Sequence, residues 1–184
     1  NMPLSTHLRS TINVAHLLLL TLWYAFACSE HEHTNHQDQE LTVMFHAVSG
    51  ETHVSCAEPF ALSDEEEPSF YLQDLRLFVY DVELKSSAGE WVPFVIESDG
   101  EWSDGVVTLL DYEDGGLHCN EGGDLLMNHQ LRGTLPHGDY ESIRFRVGVP
   151  YERNHQDVTL AEAPLNTSAM FWVWQRGSKF MRLE

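Results

Sequence analysis

The clearest pattern along the chain is the alternation of apolar and polar residues in short segments. From residue 41 to 48 every second side chain is apolar, which is typical of a β-strand with one buried face. The segment 140–149 alternates in the same way and predicts the most regular strand, which Pro150 ends. An apolar run rich in β-branched and aromatic residues predicts a further strand at 72–84, and shorter strands are predicted at 91–96, 106–110 and 130–135.

The C-terminal segment predicts a closing hairpin, because apolar residues at 170–175 and 179–183 flank a turn at Gly177. No amphipathic pattern at helical spacing extends beyond about ten residues. Many short strands joined by turns are typical of a sandwich or barrel. A chain of 184 residues can form one domain with a sizeable core but hardly two. We therefore expect an all-β protein whose single domain, residues 41–184, is an antiparallel β-sandwich.

Residues 1–28 have the features of a signal peptide. The apolar run at 14–24 is too short to cross a bilayer, and the small residues Ala25 and Ala27 stand where a signal peptidase cleaves. Cys28 follows directly, which predicts lipoprotein processing and acylation of its thiol, whereas ordinary cleavage would leave the thiol free. Either route leads out of the cytoplasm, and we expect a lipid-anchored protein of the periplasm or cell surface.

Residues 29–40 separate this segment from the predicted domain. They include no apolar side chain and cannot contribute to a core, so we expect a flexible, acidic, His-rich tether. His31, His33 and His36 make the tether either a weak metal trap or merely a polar linker.

The charge of the chain narrows the classes of function. Lys and Arg number 10 against 29 Asp and Glu, which gives a net charge of −19 at pH 7. That field repels phosphate backbones, so we exclude nucleic-acid binding. Most carboxylates are expected to form a solvated exterior, whereas the 11 histidines are more informative because imidazole is a common ligand of transition metals.

The chain has three cysteines, and acylation of Cys28 would leave Cys56 and Cys119 as a pair. In an oxidising compartment such a pair most often forms a disulfide. The alternative is two thiolate metal ligands, although the spacing of the residues matches no zinc motif.

Three histidines and one methionine form the predicted metal site. Met44 and His46 lie two residues apart on the first predicted strand, so both side chains project from one face. His53 follows a turn and can fold back towards them, and the disulfide predicted above would bring His118 to the same place. Imidazole nitrogen combined with thioether sulfur suits copper better than magnesium or calcium. Each histidine taken singly would more often be an ordinary surface residue.

Other residues receive different predictions. His129 and His155 are weaker metal candidates, and His137 fits a turn. Trp172 and Trp174 share one face of a predicted strand, for which core packing is the expected role. The sequence contains no nucleophile elbow, zinc-protease motif or phosphate loop. Because no acid, base or nucleophile stands out, we do not expect an enzyme, including one with a copper or calcium centre.

An ordered set of short motifs runs through residues 41–184. Two examples are Phe-Arg-Val-Gly-Val-Pro at 145–150 and Met-Phe-Trp-Val-Trp-Gln at 170–175. The other motifs lie at 74–76, 109–113, 133–136, 138–140, 154–155, 164–166 and 179–180. This set resembles the MbnP-like family, also called metallo-mystery pair four-Cys proteins, to which the copper-binding methanotroph surface protein MopE is related. The order of the whole set is more specific than any one motif.

The resemblance implies a periplasmic or surface β-sandwich that binds copper. It also implies a di-haem partner of the cytochrome c peroxidase type, which in this family can oxidise a tryptophan near the metal to kynurenine. Two departures stand out: the four-Cys pattern is reduced to Cys56 and Cys119, and Met44 rather than tryptophan precedes His46 by two residues. A tryptophan-derived ligand at position 44 is therefore excluded. The remaining candidates for modification are Trp91, Trp102 and, foremost, Trp172 and Trp174.

Together these observations favour an exported copper-binding protein for metal acquisition or homeostasis that works with a di-haem partner. A structural or adhesive surface lipoprotein with incidental histidines is the alternative. Copper titration of the mature domain would separate the two.

Overall fold

The computed structural model describes residues 38–63, 67, 69–116, 118–119, 126–157, 159–172 and 177–184. The elements in chain order are β1 (Gln39–Met44), β2 (Val48–Ser49), β3 (Thr52–His53), β4 (Leu75–Ser86), β5 (Trp91–Pro93), β6 (Val95–Ile96), β7 (Val107–Asp111), β8 (Gln130–Leu135), β9 (Tyr140–Val147), the one-turn helix α1 (Tyr151–Asn154), a 3-10 turn (Ser168–Met170) and β10 (Met181–Leu183). Within this part of the chain, no helix has the length and apolar character of a membrane-spanning segment.

The first sheet has the strand order β1–β8–β6, and both pairings are antiparallel. β1 pairs with β8 along its whole length, from Gln39 to Met44. β6 approaches β8 very closely at Gly133, where a Cβ atom would lie 2.2 Å from the carbonyl oxygen of Val95 and 2.7 Å from the ring of Phe94. The third strand can therefore reach this position only because residue 133 has no side chain.

The second sheet is built around the long strand β4. One edge of β4 pairs with β10 at 75–77 and then with β9 from Val79 to Ser86. The other edge pairs with β7 at 76–80 and with β5 at 83–85. All four pairings are antiparallel, so one central strand holds together segments from the middle and the end of the chain.

The main core lies between the two sheets. Partly buried apolar residues of β1 pack against it, and they alternate with exposed residues as predicted. The buried members of this core are Val79, Val82, Leu84, Phe94, Ile96, Leu110, Tyr112, Leu131 and Leu135. The prediction of an antiparallel, all-β sandwich is therefore confirmed.

The outer face of the second sheet is covered by the C-terminal segment. Phe78 and Leu109 on this face form a second core with Val149, Leu165 and Met170. β7 consequently lies between two apolar layers, and all of its residues are buried. This position explains why its sequence is a continuous apolar run rather than an alternating pattern.

Two predicted strands behave differently from expectation. β9 is regular, but its apolar side chains Ile143, Phe145 and Val147 are 38%, 37% and 46% exposed at the edge of the sheet, where β9 pairs with β4. The predicted closing hairpin is seen at its base, where Phe171 and Ser178 form an antiparallel bridge and the Lys179 N–H donates a 2.7 Å hydrogen bond to the carbonyl oxygen of Met170. The strand that follows, β10, pairs with β4.

A buried disulfide joins Cys56 and Cys119, as predicted, with Cα atoms 5.4 Å apart. Both residues are fully buried and pack with Leu72. The bridge connects the segment after β3 to the segment after β7, so it fixes the hairpin β2–β3 to the end of the second sheet. Because both sulfur atoms are used in this bond, the alternative of two thiolate ligands is wrong for this state of the protein.

A buried ionic cluster lies close to the disulfide. The Arg76 guanidinium is 3.0 Å from Asp74, 3.2 Å from Glu113 and 3.5 Å from Asp111, and Arg182 is 2.8 Å from Asp74. Arg182 also pairs with Glu184 at 2.7 Å, so four carboxylates share two guanidinium groups, and the fully ionised cluster has two negative charges in excess. Burial raises the pKa of Asp111 to about 6 and also raises the pKa of Asp74, although Arg76 opposes both shifts.

Candidate metal centre

Two histidines meet just beyond the first strand. β1 ends at Met44, so His46 is not in mid-strand as predicted but follows the strand in extended chain. The Phe45 N–H donates a hydrogen bond of 2.8 Å to the carbonyl oxygen of His129, which holds this segment against the start of β8. The hairpin β2–β3 returns the chain, and the His46 and His53 rings lie edge to face with centroids 5.5 Å apart.

His129 stands opposite Phe45, directly before β8, and its neighbour Asn128 fixes the backbone there. The Asn128 amide donates to the carbonyl oxygen of Leu109 at 2.8 Å, and its side-chain oxygen accepts from the Gln130 N–H at 3.2 Å. The His129 imidazole stacks on the Tyr112 ring, with centroids 4.6 Å apart and 15° between the planes. The backbone near His129 is therefore fixed by Asn128, and the ring of His129 is held by Tyr112.

The Nε2 atom of His129 is buried and has no hydrogen-bond partner. Burial lowers the pKa of His129, and electrostatic repulsion from His46 lowers it further, so the two imidazoles are close enough to influence each other. An unsatisfied buried polar atom costs about 1–3 kcal/mol. A metal ion bound to Nε2 would remove this cost, because a neutral imidazole coordinates through its free nitrogen.

The three histidines, His46, His53 and His129, offer the donor chemistry of a transition-metal site. In the described part of the chain, their ring nitrogens do not all lie within 4.8 Å of one another. His46 and His53 are exposed, so their rings can rotate about the side-chain bonds without disturbing the core. A metal would therefore be held by one anchored imidazole and two mobile ones.

Met44 and His118, the other two predicted ligands, lie in different surroundings. Met44 is 54% exposed, and it lies on the exposed face of β1, at the end of the strand two residues before His46. His118 stacks on Tyr71, with ring centroids 4.0 Å apart. Tyr71 and His46 line one groove, so the disulfide does place His118 at this end of the sandwich, with Tyr71 as its neighbour.

The tryptophan expected in the core is on the surface. Trp172 is 62% exposed, and the Lys179 ammonium lies 5.2 Å from its ring centroid. The expectation of core packing is wrong for Trp172, because its backbone pairs with Gly177 beside the Phe171–Ser178 bridge and its indole faces Lys179 rather than the core. Trp174, the three tether histidines and Cys28 lie outside the described residues.

One further group combines ligand types at short range. Cys56, Cys119 and Glu113 have candidate ligand atoms within 4.8 Å of one another, and all three residues are buried. Since the two sulfur atoms form the disulfide, neither is available as a thiolate. The histidines after β1 and before β8 are therefore the stronger candidates.

Comparison with known proteins assigns the chain to a family. The family model described as MbnP matches residues 38–184. The chain belongs to the MbnP family. Among solved structures, MbnP from Methylosinus trichosporium is similar to this MbnP-family chain, with a TM-score of 0.65 and 29% sequence identity over 80% of this chain and 54% of that chain. The chain thus spans about half the length of that relative. No curated protein matches it.

Proposed function

We propose that this MbnP-family protein is an exported copper-binding protein that serves metal acquisition or homeostasis. Membership of the MbnP family indicates a copper-associated role. The observation that carries the proposal is the buried, unpaired Nε2 of His129 beside the mutually facing His46 and His53. We propose a binding role rather than a catalytic one.

The residues present fit a copper ion by their chemistry. Neutral imidazoles bind both oxidation states of copper, and a thioether sulfur favours Cu(I). In this proposal His129 is the fixed ligand, His46 and His53 close onto the ion, and Met44 supplies a weak further ligand. His118 remains a candidate ligand from the sequence, and its stacking on Tyr71 makes it less free to rotate than the exposed His46 and His53.

The surroundings of these ligands support metal capture. The chain carries a net charge of −19, which raises the local concentration of cations. His129 itself lies against Tyr112 and the main core, so the ion would have an apolar wall on one side. When bound, copper would supply a redox-active centre at the open end of the sandwich.

We further propose that the protein acts outside the cytoplasm, lipid-anchored at Cys28, with a di-haem peroxidase-like partner. Trp172 is the described tryptophan most accessible to such a partner, because it is 62% exposed. Conversion of Trp172 to kynurenine would add about 4 Da to its peptide. Peptide mass spectrometry after co-expression with a di-haem protein would therefore show whether Trp172 is modified. Unmodified Trp172 under those conditions would remove it from the candidates.

The test of copper binding uses the mature chain in which His31, His33 and His36 are changed to Gln. These changes remove the tether histidines, which could bind copper by themselves. We expect one tightly bound copper ion, and X-ray absorption spectra with imidazole scattering around it. A stoichiometry near zero would contradict the proposal.

A structural or adhesive surface protein is the second candidate. The exposed apolar side chains Ile143, Phe145 and Val147 on the edge strand β9 favour it, because exposed apolar edge strands readily associate with other chains. This candidate predicts self-association or surface adhesion without copper. Two results together would favour the adhesive candidate over the copper proposal: the protein does not bind copper, and Phe145→Ser loses adhesion.

A further inference from the structure

Two methionines stand two residues before histidines of the proposed copper site. Met44 precedes His46 and Met127 precedes His129, so the motif Met-x-His occurs twice in the chain. The two motifs lie side by side, because the Phe45 N–H donates a hydrogen bond of 2.8 Å to the carbonyl oxygen of His129. The antiparallel pairing of β1 with β8 continues from this bond. Two thioethers and two imidazoles are therefore brought to one end of the first sheet.

Neither methionine contributes to a core. Leu41 and Val43 pack against the main core, whereas Met44 shares the exposed side of β1 with Thr42. Met44 is 54% exposed and Met127 is 44% exposed. These side chains gain little from packing, and their sulfur atoms are open to ions and to small reagents in water.

The chemistry of a thioether suits one oxidation state of copper. Sulfur is a soft, uncharged donor that favours Cu(I), whereas imidazole nitrogen binds both Cu(I) and Cu(II). Methionine is unbranched and has three rotatable bonds, so an exposed sulfur can turn towards an ion held by neighbouring imidazoles. The repulsion that His46 exerts on His129 lowers the pKa of His129, which places these two imidazoles close together. Thioethers beside them would raise the preference of the site for Cu(I).

The other two methionines of the described chain provide a comparison. Met170 is buried in the second core and only 1% exposed, whereas Met181 on β10 is 53% exposed. Oxidants convert methionine to its sulfoxide, and the reaction needs access to the sulfur atom. Met181 should therefore react as readily as Met44, but no histidine stands two residues after it.

We propose that Met44 and Met127 are thioether ligands of Cu(I), and that hydrogen peroxide switches Cu(I) binding off by oxidising them. The sulfur lone pair attacks one peroxide oxygen, an S–O bond forms, the O–O bond breaks, and the other oxygen leaves as water. Each sulfur atom loses two electrons, and each peroxide molecule gains two. The sulfoxide has lost the soft thioether donor, so the imidazoles remain and bind Cu(II).

This inference rests on the proposed copper-binding function and adds the regulation of its site. Methionine sulfoxide reductases reverse the oxidation, so the switch is not a permanent lesion. The protein would thus hold Cu(I) while its methionines are reduced and stop binding Cu(I) in the presence of peroxide.

The experiment uses the mature chain in which His31, His33 and His36 are changed to Gln and Cys28 to Ser. The last change removes a thiol that would itself react with peroxide and bind Cu(I). The thioether variant also carries Met44→Leu and Met127→Leu, because leucine has a volume close to that of methionine. Met181→Leu is the matched control, since it removes an equally exposed thioether that has no histidine beside it.

Each metal-free protein is treated with hydrogen peroxide, the excess is removed with catalase, and peptide mass spectrometry locates the sulfoxides. Cu(I), without oxygen, and Cu(II) are then titrated separately. We expect the parent and Met181→Leu to lose Cu(I) affinity at least about tenfold on treatment, as for loss of a ligand. The reductase should restore this affinity.

The thioether variant should bind Cu(I) at least about tenfold more weakly than the parent before treatment, with no further loss afterwards. The Cu(II) affinity of every protein should stay the same, because the imidazoles are unchanged. A tenfold loss for Cu(I) alone lowers the reduction potential of the bound copper by about 59 mV, which voltammetry measures independently.

The contrary outcomes separate the inference from the proposed function. If Met44 and Met127 become sulfoxides while Cu(I) affinity stays the same, the inference is overturned and the proposed function stands. The same follows if the thioether variant binds Cu(I) like the parent, or if Met44 and Met127 stay reduced after Met181 has been oxidised. An equal loss of Cu(II) affinity also overturns the inference, because it indicates general damage. If the untreated parent binds no copper, the proposed function fails and the inference fails with it.

Discussion

At the scale of single residues, the buried Asp111 and the half-buried His129 give opposite pH dependences to stability. The pKa of Asp111 is raised to about 6 by burial, above the value near 3.9 of an unfolded chain. The folded state therefore holds this proton more tightly, and stability falls as the pH rises through about 4 to 6. The pKa of His129 is lowered by burial, so its contribution is lost as the pH falls below about 6.5.

Replacing Asp111 separates these two effects. In Asp111→Asn the carboxyl group with the raised pKa is absent, so the loss of stability between about pH 4 and 6 should be smaller than in the wild type. The predicted difference in unfolding free energy across this window is at most about 2–3 kcal/mol, at 1.36 kcal/mol per pKa unit. Urea unfolding at several pH values measures it. Parallel pH profiles of the two proteins would show that Asp111 is ionised normally.

At the scale of elements, the close approach of β6 to β8 depends on one glycine. In Gly133→Ala the new methyl group would collide with backbone of β6, because the Val95 carbonyl oxygen stands 2.2 Å from the position of the Cβ atom. We expect a loss of about 1–3 kcal/mol in unfolding free energy, the usual cost of overpacking. Gly138→Ala is the control, since its nearest neighbours are 3.8 Å away. Equal stability of both variants would contradict the packing described here.

Local alternation sufficed to predict β1 and the position of β9, because each has a period-two pattern that needs no partner. The strand with which each of these strands pairs could not be predicted in the same way. The pairing of β10 with β4 depends on contacts between residues distant in sequence, and so does the exposure of the apolar side of β9. The disulfide was predictable because the expected export and the expected acylation of Cys28 left Cys56 and Cys119 as one pair in an oxidising compartment.

The candidate site, too, was predictable only where its residues are close together in the sequence. His46 and His53 lie on one local hairpin, and the sequence predicted that they could approach each other. His129 was only a weaker candidate, since its position opposite Phe45 follows from the register of β1 against β8. The signal that could have found it is the adjacent Asn128, a residue that often fixes backbone at strand ends.

At the scale of the whole molecule, the net charge of −19, the histidines after β1 and before β8 and the predicted anchor support the proposal of a protein that collects cations at a membrane surface. The anchor is directly testable. We expect Cys28 to incorporate a fatty-acid label in membrane-extracted protein and Cys28→Ser to lose both the label and the membrane association. An unlabelled wild-type protein recovered entirely in the soluble fraction would contradict the anchor.

The measurement that tests the central claim most directly is competitive Cu(I) titration against a chromophoric chelator. All proteins carry Gln at positions 31, 33 and 36, and the pH is held at 7.5, because a protonated imidazole cannot coordinate a metal. His46→Ala and His129→Ala should each weaken binding at least about tenfold, as expected for loss of one ligand. His137→Ala, at an exposed turn, should bind as the parent does. If the double variant His46→Ala/His129→Ala titrates like the parent, the copper site is not where this account places it.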